Sequence, residues 1–267
     1  MNEPRTSTPP NPTPAIIEPV QGPEPATSGT MSFFEHLEEL RSRLLRSIFA
    51  LIIGVAIAAV FTGDILKYLA SPYEHRLTNP SPTGAVVMYF RVALMSGAIL
   101  AIPYITYQLF MFVAPGLTKK ERSWIYLALP ATTGFFLLGV SFAWFIMAPA
   151  AFGFLQTFQS DVFQDQWFAE EYFKFLTSLL FWIGVAFEMP VFMFVLARLG
   201  LIGPKVLIRN WRFAVVAITI IAAIITPTVD PFNMLLVTAP LLMLYVLSIG
   251  LVAIAARRVQ RSLNAPH

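Results

Sequence analysis

The sequence contains no cysteine, so a disulfide framework and a thiolate metal site are both excluded. Only 12% of its 267 residues are charged, and only three are histidine. It also has no glycine-rich phosphate loop, no Gly-x-Ser-x-Gly nucleophile motif and no His-Glu-x-x-His zinc motif. These absences argue against an enzyme, and we expect no cofactor and no metal.

Apolar residues dominate instead, at 57% of the chain with 24 phenylalanines and a mean hydropathy of +0.68. That composition is too apolar for a soluble domain of this size. A helix needs about 20 residues to cross a hydrocarbon core of about 30 Å. The sequence therefore predicts an all-α membrane protein with six transmembrane helices, one in each window that is free of charge or nearly so, at 47–63, 92–118, 123–160, 175–197, 213–229 and 231–256.

Two windows depart from the usual length. The window 123–160 is long enough for two helices, but Pro149 and the polar stretch 156–160 favour one helix followed by an apolar external segment. The window 213–229 would span only about 26 Å, which suggests local thinning of the bilayer. Prolines in or beside the windows bend helices and favour a curved bundle: Pro103, Pro115, Pro130, Pro149, Pro190, Pro227 and Pro240.

The two ends of the chain differ from this membrane domain, which we place at 31–256. Residues 1–30 hold eight prolines and no apolar run of signal-peptide length, so we expect a disordered tail. Ser32 and Glu35 have the spacing of a capping box, which predicts an amphipathic entrance helix at 32–46 that runs into the first span. Residues 257–267 form a short basic tail.

The distribution of positive charge predicts the orientation. With the amino terminus in the cytoplasm, the outer segments carry four basic residues, Lys67, Arg76, Arg91 and Lys174. The inner segments then carry thirteen, which are Arg41, Arg43, Arg46, Lys119, Lys120, Arg122, Arg198, Lys205, Arg209, Arg212, Arg257, Arg258 and Arg261. This positive-inside bias predicts that both termini are cytoplasmic. The basic residues are spread over several short segments, so no nucleic-acid partner is expected.

Glu188 is the single charge in the window 175–197. A carboxylate at mid-membrane costs a few kcal/mol on insertion scales, so such residues usually line a cavity or pathway. A second interpretation is a protonated glutamate that hydrogen-bonds to a neighbouring helix. A third, of a different functional class, is the protonation site of a small-solute secondary transporter.

Two cytoplasmic acids also have plain explanations. Glu39 and Arg43 are four residues apart on one helix, where such a pair contributes only about 0.3–0.5 kcal/mol. Glu121 stands among Lys119, Lys120 and Arg122, where it would reduce the net positive charge of the hairpin. Phe112 would serve in packing or face lipid.

Five stretches in order, taken together, resemble the TatC family of twin-arginine protein translocases over roughly residues 31 to 255. They are HLEELRSRLL (36–45), YQLFMFVAPGLTKKER (107–122), FAWFIMAPAAFGFL (142–155), GVAFEMPVF (184–192) and ITPTVDPF (225–232). The resemblance implies a six-helix, cup-shaped receptor of the bacterial cytoplasmic membrane. It would recognise twin-arginine signal peptides of folded precursor proteins and help export them with the proton gradient.

The resemblance also implies partners and site residues. The partners would be single-span proteins of the TatA and TatB types, with self-association in the complex. By motif match, the signal-peptide-binding residues would be Glu39, Arg41, Phe112, Glu121 and Arg122, and the cavity or partner-contact residues would be Pro72, Glu188 and Asp230. The family often has TPPD where this chain reads TPTVDPF, so the match to Asp230 is offset by one residue.

The chemistry of arginine is consistent with this assignment. A guanidinium is planar, permanently charged and pairs with a carboxylate through two parallel hydrogen bonds. A receptor that distinguishes two arginines from two lysines therefore requires carboxylates at the membrane surface. Glu39 and Glu121 are both predicted on the cytoplasmic face.

Overall fold

The computed structural model describes residues 33–71, 77–79, 81–113, 119–158, 167–226 and 230–263. Within these ranges the chain is helical, and its nearest approach to a sheet is an isolated parallel bridge between Thr78 and Phe168. The elements are α1 (Phe33–Ala70), α2 (Gly84–Val113), α3 (Lys119–Phe142), a π-helical segment (Ala143–Met147), α4 (Ala148–Thr157), α5 (Ala169–Arg198), α6 (Pro204–Arg209), α7 (Trp211–Ile225) and α8 (Pro231–Leu263). The predicted all-α class is confirmed.

Six helical segments correspond to the six predicted windows. Five are long and apolar enough to cross a membrane: α1, α2, the stretch from Ala128 to Thr157, α5 and α8. The sixth, α7, is apolar but has only 15 residues, so it is about 22 Å long. The shortness predicted for this segment is confirmed, and the helix is shorter than its window because it ends at Ile225.

The long third window holds one continuous helical stretch rather than two spans. α3 passes through the π-helical segment into α4, which reaches Thr157, so the residues beyond Pro149 are helical as well. A proline inside a helix lacks an N–H and its ring crowds the preceding turn. The π segment ends just before Ala148, and its wider turn changes the hydrogen-bond register there, which accommodates Pro149 in the first turn of α4.

α1 and α2 pack in antiparallel fashion through glycine. A Cβ atom added to Gly54 would lie 2.5 Å from the Gly97 carbonyl oxygen, and one added to Gly97 would collide with the backbone of Val55. Further along the pair, the Tyr89 hydroxyl donates to the Ala59 carbonyl over 2.6 Å. Small residues allow helix backbones to approach closely in membranes, where apolar burial does not by itself drive association.

α5 is the central helix, with α2, α3 and α8 packed around it. Gly184 gives α3 room, because an added Cβ would lie 2.7 Å from the Phe136 ring and 2.8 Å from Val140. Near the start of α5, the Tyr172 hydroxyl donates to the Leu69 carbonyl at the end of α1 over 2.7 Å. These contacts help to fix α1 and α3 against α5, and the candidate site lies at the opposite end of α1, where it meets α2.

Candidate functional site

Glu39 lies in the second turn of α1, and its side chain is only 16% exposed. One carboxylate oxygen, Oε1, accepts from Arg43 Nε over 2.9 Å and pairs with Nη2 of the same guanidinium. The other oxygen, Oε2, is buried and has no hydrogen-bond partner among the described residues. The carboxylate therefore keeps unused acceptor capacity in a partly dry position, where an unsatisfied polar atom is costly.

Arg43 extends this contact to the next helix. Its Nη1 donates to Gln108 Oε1 of α2 over 3.3 Å, and Gln108 is only 3% exposed. One guanidinium thus joins a carboxylate on α1 to an amide on α2. This arrangement uses the planar fork of arginine, which lysine does not have.

An aromatic pair closes the same helix interface one turn earlier. The rings of His36 on α1 and Phe112 on α2 are stacked, with centroids 4.4 Å apart and planes 23° apart. Since His36, Glu39 and Arg43 are three and four residues apart, they share one face of α1, and this face lies against the last turns of α2. The structure thus places Glu39 and Phe112 at the same interface between α1 and α2, and their role in binding stays a prediction.

The apolar stripe of α1 faces away from the bundle. Leu37, Leu40 and Leu44 remain 45%, 43% and 56% exposed, while the polar face with Glu39 and Arg43 packs on α2. In water this arrangement would be unfavourable. At a membrane surface it places the apolar stripe in lipid and keeps the charges against protein.

The remaining predicted recognition residues are placed less fully. Arg41 is exposed and lies two residues from both Glu39 and Arg43, so it projects from a different face of α1. Glu121 and Arg122 belong to the first turn of α3, but their side chains lie outside what the structure describes. Their distance to Glu39 stays a matter of prediction.

Glu188 lies in the core, 5% exposed, as expected of a residue that faces protein rather than lipid. The Thr106 hydroxyl of α2 donates to its Oε2 over 2.9 Å. Its Oε1 is buried and has no partner in the described part of the chain. A polar contact between α2 and α5 thus exists inside the bundle, well separated along α2 from the glycine contact at Gly97.

Of the other two predicted contact residues, the structure describes only one. Pro72 lies outside the described residues. Asp230 precedes α8 and accepts from the Asn233 backbone N–H over 2.7 Å and from its Nδ2 over 2.9 Å. Asp230 therefore acts as the N-terminal cap of α8, a structural role that the sequence analysis did not assign.

Three residues of the site were not predicted from the sequence in the roles that the structure gives them. Gln108 and Thr106 were not singled out, and Arg43 was considered only as a surface partner of Glu39. Gln108 is the one amide in the uncharged window 92–118, and a buried polar side chain in such a window usually has a partner on another helix. The sequence carries that signal, but the identity of the partner required the rotation of α1 against α2.

Comparison with known proteins gives a consistent result. The family model described as "Sec-independent protein translocase protein (TatC)" matches residues 35–240. The chain is 32% identical to the TatC protein of Synechocystis over 228 residues, which cover 85% of this chain and 90% of that protein. It is 34% identical to the TatC protein of Deinococcus radiodurans over 241 residues, with 86% and 88% covered.

A plant relative and a solved structure show the same similarity. The chloroplastic TATC protein of Pisum sativum is 31% identical over 230 residues, which cover 85% of this chain and 65% of that longer protein. A crystal structure described as the twin arginine translocase receptor TatC superposes with a TM-score of 0.76 and 36% identity. That comparison covers 82% of this chain and 99% of the crystallised one.

Proposed function

Because the chain belongs to the TatC family of Sec-independent protein translocase proteins, we propose that its α1–α2 interface around Glu39 binds the arginine pair of twin-arginine signal peptides. The chain is a component of the twin-arginine protein translocase and not an enzyme. The family match leaves the small-solute transporter interpretation without support.

One observation carries the proposal. The Glu39 carboxylate is held on one side by Arg43, and its Oε2 has no donor in the described part of the molecule. It lies at one end of the membrane helices, between the buried Gln108 and the stacked pair of His36 and Phe112. A guanidinium is the ligand that such a carboxylate prefers, and the flanking aromatic surface suits the flat faces of that group.

The second arginine requires a second acid, and Glu121 is the candidate. It lies in the first turn of α3, and the helix that precedes α3 is α2, which ends next to α1 at Phe112. We assign Arg41 and Arg122 to the edge of the same surface, in contact with the peptide backbone or the precursor. This assignment rests on the family motif.

The orientation and the setting complete the proposal. Both termini lie in the cytoplasm, as the thirteen to four distribution of basic residues favours, so the Glu39 surface faces the compartment in which precursors fold. The setting is the bacterial cytoplasmic membrane. The partners are single-span proteins of the TatA and TatB types together with further copies of this chain, and the proton gradient drives export.

We assign a second role, lining a cavity or contacting a partner protein, to Glu188, Pro72 and Asp230. Support comes from Glu188, a carboxylate buried among α2 and α5 with one oxygen still unpartnered in the described structure. Membrane-embedded carboxylates of this kind usually serve a pathway or a docking contact. For Asp230 the contact would add to its capping of α8.

The test is binding of a labelled twin-arginine signal peptide to membranes that contain the protein. Wild type should bind, and Glu39→Gln with Glu121→Gln should lose most of the binding, since an amide is isosteric but uncharged. A peptide with two lysines in place of the arginines should bind about 10-fold more weakly or worse, because an ammonium forms no bidentate pair.

Glu38→Gln is the matched control. Glu38 is adjacent in sequence, carries the same charge and is exposed on another face of α1. It should bind the peptide as wild type does. If Glu38→Gln weakens binding as much as Glu39→Gln, the effect is one of net charge, and the assignment of Glu39 is wrong.

A further inference from the structure

We propose that Arg43 is an internal competitor for the Glu39 carboxylate, occupying it in the free receptor and yielding it to an arginine of the signal peptide. The proposal rests on the proposed function of Glu39 and adds a regulatory residue to that site. It is based on the position of the Arg43 side chain, which contacts both Glu39 and Gln108.

The contact of Arg43 with Glu39 is the kind that a bound arginine would make. Two N–H groups of the Arg43 guanidinium, Nε and Nη2, are directed at the same carboxylate oxygen. A guest guanidinium that formed a bidentate pair with Glu39 would need Oε1 as well as Oε2. Arg43 and the guest therefore compete for Oε1.

Burial makes the competition unavoidable. The side chains of Glu39 and Arg43 are each 16% exposed, and Oε2 is closed to solvent. Because Arg43 occupies Oε1 and Oε2 is closed to solvent, a guest that pairs with both oxygens must displace Arg43. Oε2 gives the guest an advantage, since a bidentate pair satisfies an oxygen that has no donor among the described residues.

Gln108 provides a place for the displaced guanidinium. Its amide oxygen already accepts from Arg43 Nη1 over 3.3 Å, and Gln108 is fixed in the α2 surface. Arg43 can turn about this contact and leave Glu39 without losing every partner. The exchange then replaces one guanidinium by another, so the net gain is small, which suits a receptor that must release its signal peptide after transport.

The charge-to-amide change Arg43→Gln tests the inference in membranes that contain the full chain and a twin-arginine peptide. The affinity should rise by about twofold to fivefold, the effect expected on removing one competing ion pair. Arg43→Lys should give a smaller rise, because lysine keeps a positive charge that competes for Glu39 but lacks the planar fork that also reaches Gln108. A peptide affinity that falls or stays unchanged in both variants overturns the inference.

Two controls separate competition from general electrostatics. Arg46→Gln removes the same charge from an exposed position one turn further along α1, and should leave the affinity nearly unchanged. Arg43→Gln combined with Glu39→Gln should bind as weakly as Glu39→Gln alone. If Arg46→Gln strengthens binding equally, charge repulsion explains the result and the competitor assignment is wrong.

The same experiment distinguishes failure of the inference from failure of the proposed function. If wild type binds the peptide through Glu39 and Arg43→Gln binds no more tightly, only the competitor role is lost. If wild type shows no binding that depends on Glu39, the function proposed for this surface fails, and the role of Arg43 fails with it.

Discussion

Thr106 and Glu188 form a buried hydrogen bond between α2 and α5, with 2.9 Å between the Thr106 hydroxyl and Glu188 Oε2. Both residues are nearly closed to solvent, at 4% and 5% exposure. A carboxylic side chain inside a membrane bundle requires such a partner. The bond fixes the rotamer of Glu188 and thereby the direction of its second oxygen.

Thr106→Val should destabilise the bundle by about 0.6 kcal/mol, the average for hydrogen bonds between membrane helices, and by no more than about 1.7 kcal/mol. Valine keeps the shape of threonine, so the loss reports the hydroxyl. Thermal unfolding in detergent would measure it, and the loss should disappear when Glu188→Leu is already present.

The control for this double-mutant comparison is Thr177→Val. Thr177 is equally buried, but its hydroxyl donates to the Phe173 carbonyl of its own helix over 2.6 Å. Its effect should be the same with and without Glu188→Leu. An equal effect of Thr106→Val in both backgrounds would show that the hydroxyl does not act through Glu188.

Gly97→Ala should weaken the interface between α1 and α2. The added methyl would meet the Val55 backbone, which cannot move aside as a flexible side chain can, so a loss of about 1–3 kcal/mol is expected. Signal-peptide binding should fall as well, because Glu39 and Phe112 lie on the two sides of this interface and would be shifted relative to each other.

Gly134→Ala is the counterpart in α3. No atom of the described residues lies within 4 Å of a Cβ atom at Gly134, so alanine should be tolerated there. Its higher helix propensity should stabilise the helix by up to about 1 kcal/mol. The two variants make the same chemical change, so calorimetry or unfolding of both isolates the contact at Gly97. Equal stability of the two variants would refute the close approach of α1 and α2.

Hydropathy was enough to predict the number and order of the six apolar helical segments, but not their ends. The window 175–197 became α5 at Ala169–Arg198, and the window 47–63 became α1 at Phe33–Ala70. A charge ends an apolar window, whereas a helix continues through charged residues once it leaves the hydrocarbon, as α1 does through Asp64 and Lys67. Hydropathy therefore marks the part in lipid and not the full rod.

The candidate site was likewise predictable from the sequence only in part. Glu39 and Phe112 were predicted together because the family motif carries both. The partnership of Glu188 with Thr106 and that of Arg43 with Gln108 depend on how α2 is rotated about its own axis. α2 has apolar residues on all sides, so its sequence contains little information about which face meets which neighbour.

The predicted orientation can be measured by thiol labelling, since the chain has no native cysteine to interfere. Thr83→Cys, exposed just before α2, should react with a membrane-impermeant reagent added to spheroplasts. Lys205→Cys, exposed in α6, should react only after the membrane is permeabilised. The reverse pattern would place both termini outside and would remove the Glu39 surface from the cytoplasm.

Substitution of Asp230 should separate its capping role from any contact with a partner. Asp230→Ala removes the acceptor for the Asn233 N–H and should destabilise α8 by about 0.5–2 kcal/mol, whereas Asp230→Asn keeps a good cap and should lie close to wild type. Unfolding measurements in detergent give the stability, and export of a twin-arginine precursor by cells gives the function.

If Asp230 also contacts a partner through its charge, Asp230→Asn should export poorly although it is as stable as wild type. Export at the wild-type level by Asp230→Asn would instead limit Asp230 to the cap, because the charge would then be dispensable and only the hydrogen bond to α8 would matter.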